Sequence, residues 1–145
     1  NHEAFMLAYI EGDSGDLWWV NGGLSTLESY RGDSEQVEFP AEHVAFVRKT
    51  VLYLDTPDFF FVHAGLKPQL TIEDNRLRFG EEVYLWERSH LQARAVAWEK
   101  PVVFGHTPNP EPINKDRMIG IDTGCGNGGF LTAVELPALH VYESR

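Results

Sequence analysis

The most constraining feature of this chain is an apolar run that stops at a histidine. Phe59, Phe60, Phe61 and Val62 are consecutive and are followed by His63, Ala64 and Gly65. Four apolar residues are too few for a helix. A short run without alternation suits a strand covered on both faces, in the middle of a layered α/β protein. The small residues after His63 leave room for a ligand or ion to approach the backbone. The design recurs at Val102, Val103 and Phe104, which follow Pro101 and lead into Gly105, His106, Thr107 and Pro108. In open α/β sheets ligands gather beyond the carboxyl ends of strands, so two histidines far apart in the chain can converge there. Convergence would make a metal site. Taken singly, each histidine is equally a hydrogen-bonded group in a turn.

The first residues add a third element. Asn1, His2 and Glu3 precede a pattern in which Ala4, Leu7 and Ala8 recur at helical spacing, so the triplet occupies a helix N-terminus. Glu3 complements the helix dipole there. The free N–H groups of such an end favour an anion, which fits a phosphate site and fits an ordinary capped helix equally well.

Taken in order, Asn1-His2-Glu3, His63-Ala64-Gly65-Leu66, Gly105-His106-Thr107-Pro108 and Ile121-Asp122-Thr123-Gly124 resemble the later motifs of the phosphoprotein phosphatase family of calcineurin-like metallophosphoesterases. Trp19-Val20-Asn21-Gly22-Gly23, Thr26-Leu27, Ser29-Tyr30 and the closing Gly128-Gly129-Phe130-Leu131-Thr132 are similar to segments of the bacterial serine/threonine protein phosphatases. The resemblance implies an α/β fold, the C-terminal portion of a two-sheet, four-layer αββα sandwich. Residues 1–145 would be a single domain, the later part of a metallophosphoesterase domain. Members of the family also carry two Asp-rich motifs upstream, Gly-Asp-x-His and Gly-Asp-x-x-Asp-Arg-Gly. Those motifs supply most of one metal site, a bridging carboxylate, the Asp that orients the motif histidine and a phosphate-binding Arg. The expectation is therefore a fragment without its N-terminal part, inactive by itself.

The resemblance further implies the chemistry. Asn1, His63 and His106 would ligate one of two divalent metal ions, manganese first and iron or zinc as alternatives, since imidazole nitrogen mixed with oxygen donors suits borderline ions. Two such ions activate a shared water for in-line attack on phosphorus. His2 would protonate the leaving oxygen, a role suited to a group with an unperturbed pKa of about 6.5. Leu85-Trp86-Glu87-Arg88 resembles a family element, usually aliphatic at the position of Glu87, whose Arg holds the substrate phosphate. A planar guanidinium binds two phosphate oxygens at once, which favours Arg88 as the clamp; a surface ion pair is its alternative role. The implied substrate is a phosphoserine or phosphothreonine protein or peptide. Two other readings stand beside it: hydrolysis of a dinucleoside polyphosphate such as diadenosine tetraphosphate, and a catalytically silent binding module. Glu3 and Thr107-Pro108 favour the protein phosphatase, because the dinucleoside hydrolases are expected to carry Asp at the first position and no Thr-Pro after the histidine.

Composition limits the partners. A net charge of -10 argues against a nucleic-acid groove, which needs many Lys and Arg. A phosphate substrate remains compatible because bound divalent ions can reverse the local field. No apolar run approaches the roughly 20 residues of a membrane span. The single Cys125 cannot form an internal disulfide, which points to a reducing cytoplasm. Oligomeric state is not encoded in any recognisable pattern.

Elsewhere, 24–28 reads as a short helix after the Asn21-Gly22-Gly23 break, and Pro40 opens a helix whose Val44, Val47 and Val51 share a face. One of Trp18 and Trp19 should pack and the other be exposed. An exposed connection is expected over 31–39, a long irregular loop over 67–79, a helix over 81–91 and a proline-rich loop over 109–115. The strand at 118–121 should lead into a turn at Asp122, and 130–136 should pair with 139–142. His43 and His90 read as bystanders.

Overall fold

The computed structural model describes residues 1–32 and 36–145. The expected connection over 31–39 therefore lies partly outside the described residues. The chain divides into two compact units, Asn1–Val51 and Leu52–Arg145.

The first unit is helical: α1 (His2–Ile10), α2 (Asp16–Val20), α3 (Gly23–Arg31) and α4 (Ala41–Arg48). Its core is Met6, Trp18 and Leu27, with Val44 and Val47 of α4 packed against them. Trp18 is 1% exposed and Trp19 42%, the division expected of the pair. Gly23 is required by this packing, since a Cβ there would lie 2.5 Å from the Trp18 ring.

The second unit is built on a five-stranded mixed sheet with the order β1-β2-β3-β5-β4. Its strands are β1 (Tyr53–Asp55), β2 (Phe60–Val62), β3 (Val102–Phe104), β4 (Ile113–Lys115) and β5 (Met118–Gly120). The central three, β2, β3 and β5, are parallel, with Phe60 opposite Val102 and Val102 opposite Met118. The edge strands β1 and β4 are antiparallel. Val102, Val103 and Phe104 are all buried, as an unalternating apolar strand requires. Phe60, Leu66, Trp98, Val102 and Phe104 share the main core. A second, two-stranded sheet pairs β6 (Thr132–Glu135) with β7 (His140–Glu143), matching the expected hairpin.

Three expectations change. The stretch 67–79 is not irregular throughout, because α5 (Ile72–Arg78) occupies its second half. Thr71 caps that helix by accepting from the Asp74 N–H at 2.9 Å, and the Thr-x-x-Asp spacing was its legible signal. The helix over 81–91 ends early: α6 spans Glu81–Trp86, Glu87 is extended, and a separate 3-10 turn covers Ser89–Gln92. The proline-rich loop over 109–115 closes with β4, which turns back onto β5 through Asp116 at φ 56°. Pairing there satisfies backbone groups that composition alone marks as loop.

Candidate metal and phosphate site

The three parallel strands end on one edge of the sheet, and each is followed by a polar residue of a sequence motif. β2 leads to His63, β3 to Gly105 and His106, and β5 to Ile121 and Asp122. The edge is held by the backbone: the Gly105 N–H donates to the His63 carbonyl at 2.9 Å and the Ile121 N–H to the Phe104 carbonyl at 3.0 Å. His106 sits at φ 67°, a left-handed conformation that side chains rarely adopt. That turn brings its ring back toward His63. Nε2 of His63 and Nδ1 of His106 are 3.0 Å apart, with ring centroids at 4.8 Å.

This separation fits one shared ion. Two imidazole nitrogens, each about 2.1 Å from a metal, stand about 3.0 Å apart when the angle at the metal is about 90°. Among the described residues no group of three or more His, Cys, Asp or Glu is placed to hold a metal. The donors assembled here are thus two, and Asp122 lies beside them: its Cβ would be 3.5 Å from a Cβ added at Gly105. The Asp122 turn is closed by its own carboxylate, which accepts from the Gly124 N–H at 3.0 Å.

Arg88 joins the pair from the other side. Its Nη2 is 2.9 Å from Nε2 of His106. A guanidinium has only donors, so Nε2 of His106 accepts. In a neutral ring the proton then sits on Nδ1 and is donated to Nε2 of His63. Burial above all, with the His63 ring and the Arg88 guanidinium beside it disfavouring a further positive charge, pushes the His106 pKa down to about 4.

Glu87, the residue that departs from the family element, has a definite task. Its buried carboxylate accepts from the Arg88 N–H at 3.0 Å and the Ser89 N–H at 2.6 Å, and it pairs with the Lys67 ammonium. Burial by itself would raise its pKa; the bonds from Lys67 and Ser89 outweigh that and hold it at about 2. The carboxylate therefore ends α6, opens the 3-10 turn and fixes the backbone that carries Arg88. Neither this role nor Lys67 was legible in the sequence, although Lys67 directly follows the His63-Ala64-Gly65-Leu66 motif.

Gly65 serves packing rather than ligand approach, contrary to the sequence expectation. A Cβ there would come within 2.2 Å of the His90 ring. His90 is 1% exposed, packs edge-to-face on Phe104 with centroids 4.5 Å apart, and among the described residues has no hydrogen-bond partner at either ring nitrogen. His43, the other bystander, is exposed and bonded to the Tyr30 hydroxyl at 2.9 Å.

Asn1 and His2 belong to the first unit. Asn1 is the N-cap of α1, and the His2 ring is held by Trp18, whose Nε1–H donates to Nδ1 at 3.2 Å. With Nδ1 accepting, the proton of a neutral His2 ring lies on Nε2. Trp18 is thus a partner of His2 that the motif did not announce.

The fold is the mixed α/β fold of the calcineurin-like phosphoesterases. A crystal structure of a candidate diadenosine tetraphosphatase shares the fold, with a TM-score of 0.57 over 74% of this chain and 56% of that one, at 22% identity. In sequence, the chain is 29% identical over 135 residues to the bis(5'-nucleosyl)-tetraphosphatase PrpE (asymmetrical) of Geobacillus sp. WCH70, covering 83% of this chain and 55% of the relative. It is 26% identical over 152 residues to the protein of the same name from Oceanobacillus iheyensis, covering 94% of this chain and 60% of the relative. A shorter match of 49% over 43 residues is to the Bacillus subtilis protein of that name, covering 30% of this chain and 16% of the relative. The chain spans little more than half the length of the relatives it matches most extensively. No family model matches it. These similarities support the metallophosphoesterase resemblance at the level of the superfamily and do not single out the serine/threonine protein phosphatases.

Proposed function

We propose that the protein is part of a metal-dependent hydrolase of dinucleoside polyphosphates, of the diadenosine tetraphosphate type, with both units belonging to one catalytic domain. The observation that carries this reading is the convergence of Nε2 of His63 and Nδ1 of His106 to 3.0 Å beside the Arg88 guanidinium. The names of the relatives favour the dinucleoside substrate over a phosphoprotein. The sequence cues that pointed the other way have local explanations. Glu3 lies in the first turn of α1, where a carboxylate complements the helix dipole. In the Thr107-Pro108 turn, the Thr107 N–H donates to the Gly105 carbonyl at 2.8 Å and Pro108 packs by Gly124. Both residues shape backbone, which any phosphoesterase on this fold would need.

In this reading His63 and His106 would hold a divalent ion, manganese before iron or zinc, with Asn1 assigned to the same ion by the sequence resemblance alone. Such an ion, when bound, would contribute an activated water for in-line attack on phosphorus. Arg88 leaves His106 to grip the phosphate oxygens as a planar fork. His2 presents its Nε2 proton to the departing oxygen. A departing nucleotide is a phosphate oxygen, far less basic than a serine alkoxide, so the reaction leans less on His2 than phosphoserine hydrolysis does.

The test is a rate comparison on the chain within its longest reading frame, with manganese present. Diadenosine tetraphosphate should be turned over at least about tenfold faster, in kcat/KM, than a phosphoserine peptide. A faster peptide reaction returns the assignment to the protein phosphatases.

A further inference from the structure

Beside Arg88 lies a groove that the metal and phosphate chemistry leaves unused. It encloses about 700 Å³ and is lined by Lys67, Phe79, Val83, Trp86, Arg88 and Ser89, among others. A phosphate group fills a small part of that volume; the size is that of a pocket for a small organic ligand. Three properties narrow the ligand. Trp86 is 40% exposed, and its ring stands at 88° to His106 with centroids 5.5 Å apart, so the aromatic wall of the groove adjoins the histidine pair. Phe79 continues that wall and is anchored in the core. Two cations, Lys67 and Arg88, line the same groove together with two carboxylates, Glu82 and Glu87, and the buried Glu87 binds the ammonium of Lys67 and the backbone N–H of Arg88.

We infer that this groove is a nucleotide subsite: Trp86 stacks an aromatic base, and Lys67 with Arg88 holds the phosphates that lead from it to the histidine pair. The inference rests on the dinucleoside polyphosphate reading and adds to it the residues that would recognise one nucleoside arm. A flat base matches an aromatic wall in which Trp86 is 40% exposed, and base stacking on an aromatic side chain contributes enough to be measured one residue at a time. Phosphates match a pair of cations of which Lys67 is pre-placed by its ion pair. A peptide has no obligatory planar group at this distance from its phosphate.

The experiment is calorimetric titration of the chain, with magnesium present, using ADP and pyrophosphate as ligands of similar charge. The wild type should bind ADP about tenfold tighter than pyrophosphate, the size expected of one stacked base. Trp86→Ala should bring ADP to within about twofold of pyrophosphate and leave pyrophosphate itself unchanged, while Trp86→Phe should restore most of the preference. Lys67→Met should weaken both ligands by a similar factor. Equal binding of the two ligands by the wild type, no binding of either, or an undiminished ADP preference in Trp86→Ala each overturns the subsite. Turnover of diadenosine tetraphosphate without an ADP preference removes the subsite and leaves the proposed activity standing. An ADP preference without dinucleotide turnover does the reverse.

Discussion

Arg88 donates to Nε2 of His106 at 2.9 Å, and this one contact determines which nitrogen of the ring carries the proton. With Nε2 accepting, Nδ1 is protonated, and Nδ1 is the atom that faces His63. A metal shared with His63 needs the lone pair of that same nitrogen. An ion shared by the two rings, as proposed, would therefore compete with Arg88 for the state of one imidazole, and its binding would release the guanidinium from His106. Arg88→Met should bind manganese or zinc about fivefold more tightly by calorimetry, a factor in keeping with the loss of one exposed charge-assisted bond. The same variant should lose binding of inorganic phosphate. Unchanged metal affinity would show that Arg88 does not restrain the ring.

His106 can be separated into a ligand and a backbone conformation. Its φ of 67° costs a side-chain-bearing residue about 1 kcal/mol, which glycine does not incur. His106→Gly should therefore keep or slightly raise the melting temperature while abolishing measurable metal binding. His106→Ala should lose metal and stability together. Chemical denaturation of the two variants beside the wild type checks the distinction.

Gly65 and His90 form a coupled pair. A methyl group at Gly65 would meet His90 Cε1 at 2.2 Å, inside a core that cannot yield by that much without strain. Gly65→Ala should cost about 2 kcal/mol or more, and His90→Ala in the same chain should recover at least about half of that. A double-mutant cycle measures the coupling; additive losses would place the strain elsewhere.

The His90 ring also sets a pH dependence. Burial lowers its pKa from 6.5 to about 4, against a smaller opposing pull from Glu87. The unfolded chain takes up a proton near pH 6.5 and the folded chain does not, so the unfolded state gains as pH falls. Stability should be flat above about pH 7 and decline between 6.5 and 4, by up to about 3 kcal/mol from this group. Glu87, held at about 2, has the opposite origin and the same direction: its contribution is present above 4.5 and is lost toward pH 2. Denaturation midpoints of His90→Leu should show a shallower slope between pH 6.5 and 4, the remainder belonging to His106, and keep the fall below it.

The role of His2 is tested by the basicity of the leaving group. His2→Ala should reduce turnover of a phosphoserine peptide by about 100-fold and of diadenosine tetraphosphate by much less, with metal content unchanged, since general acid catalysis is worth most for a poor leaving group. Equal losses on both substrates would assign His2 to positioning phosphate.

What the sequence determined is what depends on short stretches. An unalternating run such as 60–62 or 102–104 can be satisfied only by burial on both faces, so the parallel strands and the histidines at their ends were legible residue by residue. The same holds for the helix start at Asn1-His2-Glu3 and for the turn at Asp122. What the tertiary structure decided depends on groups distant in the chain. Nothing near Glu87 predicts that its carboxylate meets Lys67, 20 positions earlier, and ends a helix that its neighbours would have continued. Nothing near Gly65 predicts that the space beside it is taken by His90, or near His2 that Trp18 claims one of its nitrogens. Hydrophobic periodicity records how much of a side chain is buried. It carries no record of which polar group will be waiting there, because that partner is chosen by the fold's closure and by the cost of leaving a buried donor or acceptor unpaired.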